Sequence, residues 1–296
     1  MLKKYALIGA AGYIAPKHMK AIKETGGELV AALDPHDSVG VLDSYFPNCQ
    51  FFTEFERFER FLDPYHNGGV CPINYLVVCS PNYLHDAHIR FGLRIGVDVI
   101  CEKPLVINPH NLAPLLDLEA ASGNRIHPIL QCRLHPAIQK LKEWNDECVG
   151  NGNPFQIAIT YNILRGPWYS QSWKGDESKS GGLIMNIGIH LLDLMCWAFG
   201  EPTGQHTMDA SPLKVLGYID FKEAAVYYNL NIRSKFNHQY ERRIDINNGE
   251  FIIDLTKGFQ DLHTQAYRNI LDGNGFEAAS VAPAIQLASD IRRSLV

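Results

Sequence analysis

Three groups of residues in this 296-residue chain have the types and spacing to do chemistry. The first is Lys103, at the end of the apolar run Val99-Ile100-Cys101-Glu102-Lys103-Pro104. Proline fixes its own φ and biases the preceding residue towards extended backbone, so Lys103 is expected to project from a strand end. A lysine there can orient a substrate hydroxyl or, if desolvated, accept its proton. The second is His190, with Asn186 four residues before it on the same helical face and Asp193 three residues after. Asp193 is placed to hold the second ring nitrogen and set the tautomer. The third is Gly9-Ala10-Ala11-Gly12-Tyr13-Ile14-Ala15 with Asp34, which stands 22 residues after Gly12. Glycines let backbone N–H groups approach a pyrophosphate, and an acid at the next strand end can accept from ribose hydroxyls and repel a 2′-phosphate. That pattern expects NAD and not NADP. The spacing is G-x-x-G-x-x-A, one residue longer at its start than the usual dinucleotide fingerprint.

These groups need a scaffold, and the hydrophobic pattern supplies one. Tyr5 to Ile8, Glu28 to Leu33, Gln50 to Phe52, Asn74 to Cys79, Asp98 to Cys101 and Ile126 to Cys132 read as six strands separated by helices. Alternation of this kind is the signature of a doubly wound parallel sheet, which binds ligands at the carboxyl ends of its strands. Ser80-Pro81-Asn82-Tyr83-Leu84-His85 follows the fourth strand, so Ser80, Asn82 and His85 are candidates to line a cofactor's path, with Glu102 beside Lys103. Phe55, Phe58, Phe61 and Leu62 form a helical stripe that reads as core. The expected division is 1–123 and 124–296, without a flexible linker.

The second half opens with Gln131-Cys132-Arg133-Leu134-His135-Pro136 at a strand end. Arg165 to Gly175 is an aromatic and cationic loop containing Trp168, Trp173 and Lys174. Tryptophan can stack on a planar ring, and Arg165, Lys174 and Lys179 can pair with anionic groups. Arg133 and Tyr267 are further candidates for the substrate. Leu216 to Asp254 is rich in β-branched and aromatic residues, with an Asn247-Asn248-Gly249 turn, and predicts a mostly antiparallel sheet able to serve as a subunit interface. Helices are expected over Thr264 to Leu271 and Ala284 to Leu295.

A net charge of −5 and the lack of a Lys/Arg run argue against nucleic acid. A signal peptide and a bilayer-length apolar run are not expected, and seven scattered cysteines suit a reducing, cytoplasmic setting. His85 with His88, and Cys132 with His135, lack further ligands at metal-site spacing, so a metal is not expected.

The glycine turn with Asp34, the Glu102-Lys103-Pro104 strand end and the Gly181-Gly182…His190 helix together resemble the glucose–fructose oxidoreductase / inositol dehydrogenase family, over essentially the whole chain. The resemblance implies a Rossmann domain followed by an α/β domain with an open, mostly antiparallel sheet, and a homodimer or homotetramer. Ser80 to His88, Leu134-His135-Pro136, Trp168-Tyr169, Ser172 to Gly175, and Leu262-His263-Thr264 with Tyr267 are similar to one branch. That branch oxidises the C3 hydroxyl of UDP-2-acetamido-2-deoxy-D-glucuronate in lipopolysaccharide O-antigen synthesis. It implies Lys103 and His190 as catalytic residues, NAD as cofactor, a UDP-sugar as substrate and 2-oxoglutarate as an acceptor able to recycle NADH. Gly9, Gly12, Tyr13, Ile14, Asp34, Ser80, Asn82, His85, Glu102, Lys103 and Trp168 are then expected on the cofactor. Lys103, Arg133, Arg165, Lys174, Asn186, His190 and Tyr267 are expected on the substrate. Many family members carry aspartate where this chain has Asn186, which moves the proton-acceptor role towards Lys103. A different sugar or cyclitol dehydrogenase, or an NAD-binding regulator, are the alternatives.

Overall fold

A computed structural model describes residues 2–65, 68–148, 155–232 and 241–294, with the backbone alone at Cys148. It forms two compact units, one of residues 1–106, 110–130 and 261–279, the other of residues 107–109, 131–260 and 280–296. The first unit is built on β1 (Lys4–Ile8), α1 (Ala15–Glu24), β2 (Glu28–Leu33), α2 (Val41–Tyr45), β3 (Gln50–Phe52), α3 (Phe55–Leu62), β4 (Tyr75–Val78), α4 (His85–Arg94), β5 (Asp98–Cys101), α5 (Leu112–Ser122) and β6 (Ile126–Pro128). The strands lie in the order β3-β2-β1-β4-β5-β6 and every pair is parallel, so the expected doubly wound sheet is present. Helices on both faces explain why β4 is apolar and buried at every position. The order reverses beside β1, and the ends of β1 and β4 carry the glycine turn and the Ser80 loop.

The units do not follow a single cut at 123/124. Strand β6 pairs with β5 and keeps its segment in the first unit. It is shorter than expected, because Gln131–Leu134 coils into a 3₁₀ turn. The Leu262–Leu271 helix also belongs there: it lies against α1, with Thr264 donating to Glu24 at 2.7 Å and Lys20 paired with Asp261.

The second unit contains α6 (Pro136–Cys148), β7 (Phe155–Asn162), α7 (Trp168–Gln171), α8 (Glu177–Ser180), α9 (Ile189–Phe199), β8 (Pro202–Ser211), β9 (Lys214–Phe221), β10 (Ala224–Asn231), β11 (Arg242–Ile246), β12 (Phe251–Asp254) and the Ala282–Arg293 helix. Leu295, expected in that last helix, and residues 233–240 of the strand-rich region lie outside the described residues. The sheet order is β12-β11-β7-β10-β9-β8, antiparallel except between β7 and β10. Asn247, Asn248 and Gly249 all have positive φ and make the β11–β12 turn. Glu177–Phe199 is long and apolar enough to cross a membrane by length and composition, but 83% of its most apolar 18 residues are buried inside the protein. Ile184, Leu191, Leu192 and Met195 line one small apolar cavity together with Ile159, Ile219 and Leu230 of the sheet. It is a core helix, apolar on nearly all sides because nearly all sides are covered.

Candidate active site

Gly9 follows β1 with φ +92°, and a Cβ there would lie 2.5 Å from the carbonyl oxygen of Cys79. The glycine thus lets the turn press against the end of β4. The Gly12 amide donates to the Gly9 carbonyl at 3.0 Å, and Gly9 and Ala10 both donate to Leu33 at the end of β2. The extra residue in the turn is therefore absorbed by a closed backbone loop. Asp34 is buried; its Oδ2 accepts the Ala11 N–H and its Oδ1 accepts the His36 N–H, each at 2.9 Å. Each oxygen keeps a lone pair for a ribose hydroxyl. Among the described residues of the turn, the Tyr13 and Ile14 amides are the ones not used to close it, at the N-terminal end of α1. This cradle, glycine-lined with an acid beyond it, fits a dinucleotide.

At the end of β4, the Ser80 hydroxyl lies 2.9 Å from Nδ1 of His88, whose pKa burial pushes down to about 4. His85 is buried, and its ring bridges two carbonyl oxygens, Pro104 at 2.7 Å and Ser80 at 2.8 Å. Both ring nitrogens are committed to backbone, so His85 shapes the cofactor loop and does not offer its ring to a ligand. A neutral ring can donate to one carbonyl only. Burial, helped by the Lys103 charge, holds its pKa below that of a free imidazole against the opposite pull of the two carbonyls and Glu102.

Lys103 is half-buried at the end of β5, before a cis Pro104. Beside it Glu102 anchors a fully buried cluster that no linear spacing announces. Its Oε1 accepts from Nε2 of His18 at 3.0 Å and from Nε2 of His263 at 3.2 Å. His18 Nδ1 meets the Tyr267 hydroxyl at 2.8 Å. Burial alone would raise the Glu102 pKa, but the two imidazole bonds outweigh it and hold the carboxyl well below its usual range. Burial pushes His18 down, so its ring is neutral. With both Nε2 atoms donating, His18 Nδ1 accepts the Tyr267 O–H. The three ligand atoms of His18, Glu102 and His263 lie within 4.8 Å of one another, close enough for a metal ion, yet hydrogen bonds already satisfy them. Tyr267, expected on the substrate, is fully buried in this cluster, which removes it from that role.

In the second unit, the expected Asp193–His190 contact is replaced by an ion pair. Arg133 is 2% exposed and donates to both Asp193 oxygens, at 2.9 and 2.6 Å, and also to Ser280. Its guanidinium is a structural tie and not a substrate clamp. Ile184–Gly188 is a π-helical turn, so Asn186 and His190 straddle its junction with α9. Asn186 donates to the Tyr169 hydroxyl at 2.8 Å. Half-buried His190 has Cys132 Sγ at 3.8 Å from its Nδ1. Trp168 is 52% exposed, and the Lys174 ammonium lies 4.2 Å from the Trp173 ring centre and 5.8 Å from that of Trp168. Arg165 is half-buried, its guanidinium near the Leu164 carbonyl. The aromatic segment thus holds two cations within one short loop.

Residues 3–129 match the model of an oxidoreductase family, NAD-binding Rossmann fold, and residues 147–247 match that family's C-terminal alpha/beta domain. Among solved structures, the WlbA (WbpB) dehydrogenase from Thermus thermophilus in complex with NAD and alpha-ketoglutarate is 43% identical, with 97% of this chain and 94% of that chain covered and a TM-score of 0.91. The same dehydrogenase in complex with NAD and UDP-GlcNAcA gives 42% identity, 98% and 95% coverage and a TM-score of 0.91. D-glucoside 3-dehydrogenase of Escherichia coli is 27% identical over 203 residues, 67% of this chain and 54% of that protein. The chain spans about half the length of the curated relatives it matches.

Proposed function

The chain belongs to this oxidoreductase family, and from that premise we propose that it is an NAD-dependent dehydrogenase acting on C3 of UDP-2-acetamido-2-deoxy-D-glucuronate. One observation carries the reading: a half-buried lysine ends β5 of the same parallel sheet whose β1 and β2 ends carry a glycine-and-aspartate dinucleotide cradle, in a chain 42% identical to a dehydrogenase crystallised with NAD and that sugar nucleotide.

NAD, when bound, supplies the oxidising chemistry. The Tyr13 and Ile14 amides would hold its phosphates, with Gly12 leaving room for their approach, and Asp34 would take the ribose hydroxyls and turn away a 2′-phosphate. Lys103 accepts the proton of the C3 hydroxyl. His190 hydrogen-bonds the same oxygen and polarises it. Arg165 and Lys174 pair with the uronate and diphosphate, and Trp168 offers a stacking face. The product is the 3-keto sugar. A 2-oxo acid is the acceptor that returns the cofactor to its oxidised form, in keeping with the keto acid bound by the Thermus protein. O-antigen synthesis in the cytoplasm is the setting we assign. A homo-oligomer is supported by the outward sheet face, where Tyr218 is 44% exposed with its ring 5.2 Å from that of Tyr227.

The test is NADH absorbance with purified protein, NAD and UDP-N-acetylglucosaminuronate, with and without 2-oxoglutarate. Either free NADH, or 3-keto sugar with 2-hydroxyglutarate, upholds the reading. Neither product, with NAD shown to bind, removes the substrate assignment. Faster oxidation of free glucosides would favour a simple-sugar 3-dehydrogenase, a reading supported by the Escherichia coli relative.

A further inference from the structure

Both chain neighbours of Lys103 are tied down by buried histidines. On its amino side, Glu102 is held by His18 from α1 and His263 from the Leu262–Leu271 helix, at 3.0 and 3.2 Å. On its carboxyl side, the Pro104 and Ser80 carbonyl oxygens lie 2.7 and 2.8 Å from the two ring nitrogens of His85 from α4, which as a neutral ring donates to one of them. The three rings are 0, 5 and 1% exposed, in the order His18, His263, His85, which keeps them off any ligand. His18 and Tyr267 are neutral, and burial together with the Glu102 charge pushes the thiols of Cys79 and Cys101 up. His85 feels both the Glu102 carboxylate and the Lys103 ammonium. The Glu102 charge is thus fixed in a dry site, one residue from the lysine, where water does little to screen it.

We propose that His18, His263 and His85 are positioning residues for Lys103, and that the carboxylate they hold at Glu102 sets the lysine's proton affinity. The histidines fix where the ammonium projects. The carboxylate favours its charged form. The proposal rests on the reading of Lys103 as proton acceptor, but its first test needs no sugar.

In NAD-saturated protein carrying isotope-labelled lysine, the Lys103 side chain is titrated by NMR and assigned by its absence in Lys103→Met. Glu102→Gln is expected to lower its titration midpoint by about one pH unit. With sugar substrate, the alkaline-rising limb of kcat should move the same way. His263→Leu keeps the Glu102 carboxylate and loses one tie. It should lower kcat about tenfold, with NAD affinity within about twofold and the limb unmoved. An unchanged Lys103 midpoint in Glu102→Gln overturns the charge-setting role. Unchanged kcat in His263→Leu overturns the positioning role. Should Glu102→Gln fail to fold, the wild-type midpoint decides: a value below that of ordinary lysines overturns the proposal. One equivalent of zinc on the purified protein, lost in His263→Leu, overturns it in favour of a metal site.

Discussion

The surroundings of Lys103 and of His190 are built from different materials. Glu102, next to Lys103, sits among imidazoles and a phenol, joined by hydrogen bonds of 2.8 to 3.2 Å from two helices and a strand end. His190 sits beside a thiol at 3.8 Å, and the acid three residues further along is bound to Arg133. Hydrogen bonds to an ionised carboxylate are strong and directional, and those to sulfur are weak. The first arrangement fixes a charge and a position. The second sets a long sulfur contact at the imidazole Nδ1 and commits the carboxylate of Asp193 to Arg133. This contrast is in keeping with the proposed roles, Lys103 as proton acceptor and His190 as the polarising group.

The largest effect that sharpens this contrast is in turnover. Lys103→Met should lower kcat by about 10³-fold, within the range for loss of a positioned proton acceptor, while NAD affinity changes less than about threefold. His190→Asn should cost only about tenfold. A histidine variant as damaged as the lysine variant would break the comparison. In the second unit, the large effect should be on stability. Asp193→Asn leaves Arg133 buried with half its partner removed, which costs about 3–5 kcal/mol. Urea unfolding reads that loss directly. A normal unfolding midpoint with lost turnover would place Asp193 in the chemistry instead.

Acid should separate the units next. Glu102 is held below its unfolded pKa, so its contribution is present above that value and lost as pH falls towards the folded one. His18 and His88 have folded pKa values below the unfolded 6.5, so their contributions are complete above 6.5 and are lost as pH falls through the folded values, about 4 for His88. All three groups act in the same direction in the first unit. Amide exchange by mass spectrometry between pH 6.5 and 4 should therefore show α1, α4 and the Leu262–Leu271 helix opening before α9. Opening of α9 first would show that the buried histidines do not govern acid lability. Asp34→Ala should have a smaller effect, weakening NAD binding about tenfold and narrowing the preference over NADP, because one charged acceptor is lost and a 2′-phosphate is no longer repelled.

The sheet of the first unit was legible because each buried strand is a short apolar run and nearly every turn has its glycine, proline or aspartate, Thr53-Glu54 between β3 and α3 being the exception. Lys103, Asp34 and the glycine turn could be placed for the same reason: their positions are fixed by neighbours in sequence. The Glu102 cluster could not be read that way. His18, Glu102 and His263 are brought together by helix packing across 245 residues of chain, and a lone histidine in an apolar helix has no linear mark of its partner. Asp193 misled for a related reason. Its spacing from His190 suits a helical contact, but the π-helical turn before α9 and a buried arginine from Gln131–Leu134 give the carboxylate a stronger partner. Local spacing shows which residues can meet, and tertiary packing selects among them.

The smallest predicted effect tests the soft side of the comparison. Cys132 is 8% exposed, and its sulfur lies 3.8 Å from His190 Nδ1. Cys132→Ser exchanges a weak, long contact for a hydroxyl that is a better donor and acceptor but is shorter. If the thiol only fills space beside the ring, Cys132→Ser and Cys132→Ala should both keep kcat within about threefold and leave its pH profile in place. A thiol that fixes the imidazole tautomer would instead make Cys132→Ala markedly slower than Cys132→Ser, since serine can still bond Nδ1 and alanine cannot. Equal, small losses are the outcome expected of an adjustable histidine. A serine-rescued loss would mean that His190 is held as firmly as Glu102 by a different chemistry, and the division of roles between the two residues would have to be redrawn.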